Sequence, residues 1–93
     1  MAVKWVSMFE SNPCRHQSLQ APQLHAFGMH LRRLRKDRGL TLEELASRSG
    51  LSFRGVVYIE HGQRNPSLVT LLNLARGLEA EPSSLLVVFD EDN

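Results

Sequence analysis

Four residues in the middle of the chain have the types and spacing needed to recognise the bases of a nucleic acid. If Val56 and Ile59 point toward a core, the opposite face of the predicted helix carries Phe53, Arg54, Val57 and Tyr58. A guanidinium can donate two hydrogen bonds to one guanine, and apolar side chains can contact thymine methyl groups in a major groove. The chemistry offered by this face is recognition of base edges. The alternative for its two aromatic side chains is packing against a neighbouring helix.

The residues that could support catalysis or bind a metal are scattered along the chain. They are Cys14, His16, His25, His30 and His61. Their spacing matches no closed zinc site, and the sequence has neither a glycine-rich phosphate loop nor a G-x-S-x-G nucleophile turn. We therefore expect no metal, no cofactor and no enzymatic activity. The single cysteine also excludes an internal disulfide and fits a reducing compartment.

Helix signals begin near Phe27, where a row of apolar residues at helical spacing starts. Gly39 is expected to end this first helix, since glycine readily adopts the left-handed conformation of a helix C-terminus. Thr41 and Glu44 then form the T-x-x-E pattern of a capping box, in which each side chain satisfies a backbone donor of the other residue. This pattern predicts that a second helix begins at Leu42.

The second and third predicted helices are short and closely spaced. Gly50 ends the second helix, and Ser52 can cap a third that runs from about Phe53 to His61, with Gly62 as its stop. Two helices of this length joined by a tight turn have the dimensions of a helix-turn-helix. In such a unit the second helix projects its first turn into a DNA groove.

Two more helices complete the predicted fold. Asn65 and Pro66 are expected to open a fourth helix, and Glu81 and Pro82 a fifth that reaches about Phe89. No β-hairpin signal is present. The sequence therefore predicts an all-α domain, a compact bundle of five helices with an irregular N-terminal extension.

The predicted domain organisation has three parts. Residues 1–26 form an N-terminal extension that is a loop or partly packed, 27–89 form the helix-turn-helix domain, and 90–93 form a frayed acidic tail. The polar stretch NPCRHQSLQAPQ contains two prolines and lacks periodicity, which indicates a linker. For the apolar residues ahead of it, including Trp5 and Phe9, three placements stay open: against the domain, across a dimer, or loose.

The charge of the chain is unevenly distributed. Its 11 Lys and Arg against 10 Asp and Glu leave a net charge of +1. Counted by segment, however, residues 27–66 carry +4 and residues 67–93 carry −4. The arginine-rich middle could dock on a polyanion while the acidic end points away. No run approaches the ~18 apolar residues of a membrane span, so we expect a soluble protein without membrane contact.

The run from Leu31 to Leu86 resembles a known family. LRRLRKDRGLTLEELASRSGLS, IEHGQRNPSLVTLLNLARGL and PSSLL match, in order and spacing, the lambda-repressor-like, Cro-type helix-turn-helix family, also called the xenobiotic response element family. The resemblance implies a five-helix bundle that binds operator DNA, usually as a homodimer on a palindromic site. It therefore agrees with the fold predicted from the helix signals.

Position by position, the resemblance also implies roles for individual side chains. The DNA-binding residues would be Ser52, Phe53, Arg54, Val57, Tyr58, Arg64 and Asn65. Arg35 would form a structural ion pair with Glu60. Two positions depart from the pattern. Leu42 stands where the family commonly has a DNA-contacting glutamine, and Gly55 lies inside the recognition helix at a cost of about 1 kcal/mol relative to alanine.

The functional hypothesis is a sequence-specific DNA-binding transcriptional regulator, a repressor or autoregulator acting as a homodimer on double-stranded DNA. It would be a bacterial or phage-derived cytoplasmic protein associated with the nucleoid, with a regulatory partner protein as a possible source of control. The candidate dimer surface is Leu85, Val88 and Phe89, and the alternative is that these residues only close the core of the monomer. The alternative hypothesis is a helix-turn-helix scaffold for protein binding, antitoxin-like, with weak affinity for DNA.

Overall fold

The computed structural model describes the backbone of residues 16–92 and the side chains of residues 22–90. In this part of the chain it contains five α-helices and a C-terminal 3-10 helix, with no strands. The helices are α1 (His16–Asp37), α2 (Leu42–Ser49), α3 (Phe53–Glu60), α4 (Leu68–Leu78) and α5 (Pro82–Leu86), followed by the 3-10 helix Val87–Asp92. The all-α, five-helix fold is confirmed. None of these helices is long and apolar enough to cross a bilayer.

Helix α1 begins at His16, so the predicted domain boundary at residue 27 falls inside it. The prediction of a loop was wrong for residues 16–26, because Pro22 and the polar composition do not interrupt the helix. At residues 24 and 25 this helix is in tertiary contact with the rest of the fold. A Cβ atom placed on Gly62 would lie only 2.9 Å from His25 Cα, so the backbone of α1 packs directly on the turn after α3. Cys14, Trp5 and Phe9 lie outside the described residues.

The helix-turn-helix is built by local capping, as expected. Thr41 Oγ1 accepts a hydrogen bond from Glu44 N at 3.0 Å, and Glu44 Oε1 accepts one from Thr41 N at 2.8 Å. This capping box confirms that α2 begins at Leu42. Ser52 Oγ accepts from Gly55 N at 2.9 Å and caps α3 in the same way.

The start of α4 and the end of the chain differ from the predictions. Asn65 and Pro66 lie in a loop, and α4 begins only at Leu68 because Ser67 Oγ accepts a hydrogen bond from the backbone N–H of Thr70 at 3.1 Å. After α5 the backbone tightens into the 3-10 helix, so residues 90–92, predicted to be frayed, are helical.

The core lies between the five helices and draws at least one side chain from each. Its members are Phe27, Leu31, Leu45, Ala46, Val56, Ile59, Leu74, Ala75, Leu78 and Leu85. Leu85, predicted as a dimer-interface residue, is 1% exposed and therefore cannot contact a partner. This prediction was wrong because α5 turns Leu85 inward and exposes the next residue in the chain, Leu86.

Four helices end in the same left-handed motif, but only three of them use glycine. At the end of α1, Gly39 has φ 69°, and Leu40 N donates to Arg35 O at 3.2 Å. At the end of α4 the corresponding residue is Glu79, with φ 56°, while Ala80 N donates to Ala75 O at 2.9 Å. A Cβ atom in this conformation collides with the following carbonyl, so Glu79 is strained where glycine is not.

This strain gives a stability prediction. We expect Glu79→Gly to raise the free energy of unfolding by about 0.5–1 kcal/mol in urea denaturation. Glu79→Ala serves as the control, because it keeps the strain and removes only an exposed carboxylate 4.0 Å from Arg48, a pair of little value. Gly39→Ala should lower stability by about 1 kcal/mol, since its Cβ would touch nothing and only the backbone is affected. Equal stabilities for the glycine and alanine variants at residue 79 would contradict this account.

Candidate nucleic-acid interface

The exposed side of α3 is concentrated at its first turn. Phe53 is 49% exposed and Arg54 is also exposed, whereas Val57 and Tyr58 are half-buried. The opposite side of the helix packs into the core, as the sequence pattern predicts. The residues predicted to contact bases thus form a face that projects at the N-terminal end and recedes toward the C-terminal end. A first turn that projects in this way can enter a groove about 12 Å wide.

Ser52, Arg64 and Asn65 come together beside this face. They line a groove of about 250 Å³ between the N-terminal turns of α3 and α4, and the other lining residues are Leu51, Gly55, Ile59, Pro66, Ser67 and Thr70. Backbone N–H groups at a helix N-terminus carry partial positive charge, and two such termini border this groove together with the guanidinium of Arg64. The groove therefore suits an anion such as a phosphate.

Arg64 is held against the recognition helix. Its guanidinium carbon lies 5.3 Å from the centre of the Tyr58 ring, within the range of a cation–π interaction. This contact orients the guanidinium before any ligand binds. It also links two side chains that the sequence resemblance placed separately, one on the helix and one in the following loop.

Gly55 has a structural role that the sequence analysis missed. A Cβ atom at this position would lie 2.9 Å from Ser52 Oγ and 3.3 Å from Arg64 Nη1. Glycine therefore leaves room for the capping hydroxyl and for the arginine in the groove. A side chain at residue 55 would therefore have to displace the capping hydroxyl or the guanidinium. Only the three-dimensional neighbourhood reveals it, since Arg64 is distant in sequence.

Arg35 and Glu60 form a buried, two-armed ion pair. Arg35 Nε donates to Glu60 Oε2 at 2.7 Å and Nη2 donates to Oε1 at 3.2 Å. The remaining arm, Nη1, donates to Leu40 O at 2.9 Å. These three bonds join α1, the loop before α2 and the C-terminal end of α3. The resemblance implied this pairing, and the geometry shows that the pair connects three segments of the chain.

The other basic residues of α1 and of the turn after it differ in their contacts. Arg32, Arg33 and Lys36 are exposed. Arg38, which follows α1 and is also exposed, donates from Nε to Leu78 O at 2.6 Å and so satisfies a carbonyl at the end of α4. Sequence reasoning counted Arg38 only as part of the basic segment, and no local signal distinguishes it from its neighbours.

The histidines considered as metal ligands differ in their burial and contacts. His30 is buried, and its Nε2 lies 2.7 Å from Ser84 O, so it ties α1 to α5. His25 and His61 are exposed. Among the described residues, no three His, Cys, Asp or Glu side chains are close enough to hold a metal ion together.

The fold and this interface together define a lambda-repressor-like helix-turn-helix protein. A family model described as helix-turn-helix, HTH_3, matches residues 31–85, more than half of the chain. The chain therefore belongs to the HTH_3 helix-turn-helix family.

Similar proteins carry regulatory names. An HTH-type transcriptional regulator of Sinorhizobium fredii, y4dJ, is 41% identical over 64 residues, which cover 69% of this chain and 83% of the relative. The HTH-type transcriptional repressor RghR of Bacillus subtilis is 39% identical over 64 residues, or 68% of this chain and 47% of the repressor.

Solved structures give the same result. The restriction-modification controller protein C.AhdI from Aeromonas hydrophila is 48% identical, with a TM-score of 0.68 over 69% of this chain and 97% of that protein. The clp gene regulator ClgR from Corynebacterium glutamicum is 30% identical, with a TM-score of 0.69 over 74% of this chain and 73% of that protein. The names of these four proteins are those of regulators and controllers, not of enzymes.

The buried ion pair gives a second prediction. Arg35→Met should lower the free energy of unfolding by about 3–5 kcal/mol, because it leaves the carboxylate of Glu60 buried without its partner. Combining Arg35→Met with Glu60→Leu should recover a large part of that loss, since no charge then remains in the core. Urea denaturation followed by circular dichroism measures both. A double variant that is as unstable as the single one would contradict the importance of the unpaired charge.

Proposed function

We propose that this chain is a sequence-specific DNA-binding transcriptional regulator, a repressor or autoregulator that binds a palindromic operator as a homodimer. The observation that carries the proposal is the projecting first turn of α3 next to a groove lined by two helix N-termini and Arg64. A helix end that exposes an aromatic residue and an arginine offers base recognition, and the groove offers a place for a backbone phosphate. The regulatory names of the relatives support the same function.

The proposed roles separate base contacts from phosphate contacts. Arg54 is exposed and free of the groove, so it is assigned to a guanine, with Phe53 and Val57 next to thymine methyl groups. The hydroxyl of Ser52 accepts its capping bond from Gly55 N and keeps its proton to donate to a phosphate. Arg64 lies in the groove as the principal phosphate ligand, with Tyr58 and Asn65 beside it.

Leu42 does not supply the phosphate contact of the glutamine common at this position. It is half-buried and packs against the core at the start of α2. We therefore assign the phosphate anchoring to the groove beside α3 and not to the first turn of α2. Arg64 therefore contributes more to DNA affinity in this chain than it would in a family member in which a glutamine also contacts the phosphate.

The proposed dimer surface differs from the one expected at Val88 and Phe89, which are half-buried, with Phe89 packed against the core. Large apolar side chains are instead exposed on α4 and at the end of α5: Leu68, Val69, Leu72, Leu86 and Val87. Leu68, Val69 and Leu72 follow each other at i, i+1 and i+4, so they share one face of α4. An apolar face of this kind is typical of an interaction surface, and a second copy of the chain would supply the matching face.

The DNA contacts can be tested with charge-removing variants. Arg64→Gln should weaken binding to all duplexes and reduce the slope of log K against log salt by about one, because one phosphate contact is lost. Arg54→Gln should cost about 1–3 kcal/mol on the preferred site and relax the base preference at one position. Selection from a random duplex library identifies the site, and fluorescence anisotropy measures the affinities.

Arg76→Gln is the matched control, because Arg76 is exposed on α4 and its guanidinium donates from Nη2 to Asn73 Oδ1 at 3.0 Å, on the same helix. It should bind DNA like the unmodified chain. If Arg54→Gln and Arg64→Gln also bind like the unmodified chain, the DNA proposal is wrong. The helix-turn-helix would then be a protein-interaction module, the alternative raised by its exposed apolar side chains.

The dimer surface has its own test. Leu68→Glu should raise the dimer dissociation constant at least about tenfold, because it places a charge in an apolar contact. Leu68 is 69% exposed, so the change should leave folding intact. Met29→Glu is the control, since Met29 is 53% exposed on α1, away from the face on α4. Sedimentation equilibrium measures the association, and equal dissociation constants for both variants would rule out the α4 face.

A further inference from the structure

A second groove, apolar and open to solvent, lies next to the loop that carries Arg64. It is bordered by α1, the loop before α4, α4 itself, α5 and the 3-10 helix, and its volume is about 180 Å³. No Lys, Arg, Asp or Glu lines it, and its apolar lining residues are Leu24, Phe27, Pro66, Leu71, Leu86 and Phe89. Phe27 is 4% exposed and Leu86 is 45% exposed, so this apolar groove extends from the core to the surface.

The chain that precedes α1 contains an apolar segment, residues 2–9. Its sequence, AVKWVSMF, has six apolar residues and one charged residue, Lys4. The segment is connected to α1, the helix that contributes Leu24 and Phe27 to the apolar groove. Contiguous apolar surface that includes a tryptophan and a phenylalanine is seldom left exposed to water. The apolar segment is therefore tethered next to a surface that matches it in chemistry.

The tether is long enough to reach the apolar groove. Helix α1 begins at His16, which lies about 12 Å along the helix axis from Leu24. The chain from Trp5 to Arg15 spans up to about 36 Å when it is extended, so Trp5 can return along α1 to the level of Leu24. A tethered group has an effective concentration on the order of millimolar, so that even a weak contact keeps it bound.

We propose that the apolar segment of residues 2–9 docks in the apolar groove of its own chain, with the Trp5 side chain against Leu71 and Leu86. The size agrees, because a cavity of about 150 Å³ accommodates benzene, and this groove of about 180 Å³ has room for one large aromatic side chain. Aromatic rings pack favourably edge to face, and Phe27 supplies a ring at the buried end of the groove.

Docking of the segment is compatible with the dimer surface proposed on α4. Leu68, Val69 and Leu72 do not line the apolar groove, whereas Leu86 does. Leu86 is therefore assigned to the apolar segment, and the exposed face of α4 to the second copy of the chain. The two apolar surfaces take different partners.

The position of the groove gives docking a role in DNA binding, an extension that rests on the proposed function. Asn65 and Pro66 line both the apolar groove and the groove beside Arg64. A segment packed against Pro66 restricts the loop before α4, and Arg64 directly precedes these two residues. We therefore expect loss of docking to weaken DNA binding.

Trp5 is the only tryptophan of the chain, so its fluorescence reports on the segment directly. In the complete native chain its emission should lie at shorter wavelength than in urea. Acrylamide should quench it at least about twofold less than in urea, because the docked indole is withdrawn from water. Nuclear Overhauser effects from the Trp5 ring to the methyl groups of Leu24, Leu71 and Leu86 test the same contact without any substitution.

Leu86→Glu and Val87→Glu form a matched pair of variants. The two residues are neighbours and are 45% and 42% exposed, but only Leu86 lines the groove. Leu86→Glu should raise the quenching of Trp5 at least about twofold, since it places a charge in an apolar contact, whereas Val87→Glu should leave it unchanged. Far-UV circular dichroism verifies that both variants keep their helices.

Three results would overturn the docking proposal. Quenching in native buffer equal to that in urea would mean that the segment is not bound. Equal quenching in Leu86→Glu and Val87→Glu would place the segment elsewhere on the domain. Quenching that rises on dilution, or in Leu68→Glu, would place Trp5 across the contact between two copies of the chain.

The role in DNA binding has a separate readout. In anisotropy titrations, Trp5→Ser and Leu86→Glu should each lower the affinity for the selected duplex at least about threefold, and Val87→Glu should not. Unchanged affinities would overturn this role, while the fluorescence of the unmodified chain decides the docking. If the chain binds no duplex DNA, the proposed function fails, and Trp5 fluorescence still tests the docking on its own.

Discussion

The bidentate pair between Arg35 and Glu60 is the interaction on which the arrangement of the helices depends. It is buried at the point where α1, the loop before α2 and the end of α3 meet, and its third arm holds Leu40 O. Because α3 is only eight residues long, fixing its C-terminal end also fixes the direction of its first turn. Burial of two charges is repaid only when the geometry is good and the remaining donors are satisfied, and this pair meets both conditions. Orientation of the recognition helix is thus set by an interaction on the side away from the groove.

The groups that stabilise the helix ends also shape the anion groove. Ser52 and Ser67 each satisfy one backbone donor at the start of α3 or α4, and the remaining N–H groups at these termini keep the partial positive charge of a helix N-terminus. Gly55 is part of the same arrangement, because its missing side chain admits both the Ser52 hydroxyl and the Arg64 guanidinium. Folding and the proposed phosphate contact therefore depend on the same few polar groups, and a change at Ser52 should affect both.

Local signals predicted the helix-turn-helix well because they act over three or four residues. The capping box at Thr41 and the left-handed glycine at position 39 are decided by neighbours in sequence, and both are present. Tertiary effects were not predictable in this way. The turn after α3 packs on α1 next to His25, and Leu85 is buried because α5 packs against the rest of the core. An apolar residue near a chain end has no local signal that separates core from interface.

The division of α3 into a buried and an exposed side has an evolutionary consequence. Val56 and Ile59 anchor the helix in the core, while Phe53 and Arg54 make no contribution to it. Side chains at these two positions can be exchanged without repacking the bundle, so binding preference and folding stability can diverge independently. A gene duplication would then produce a second regulator with a new target through a few substitutions, and each intermediate along that route would still fold.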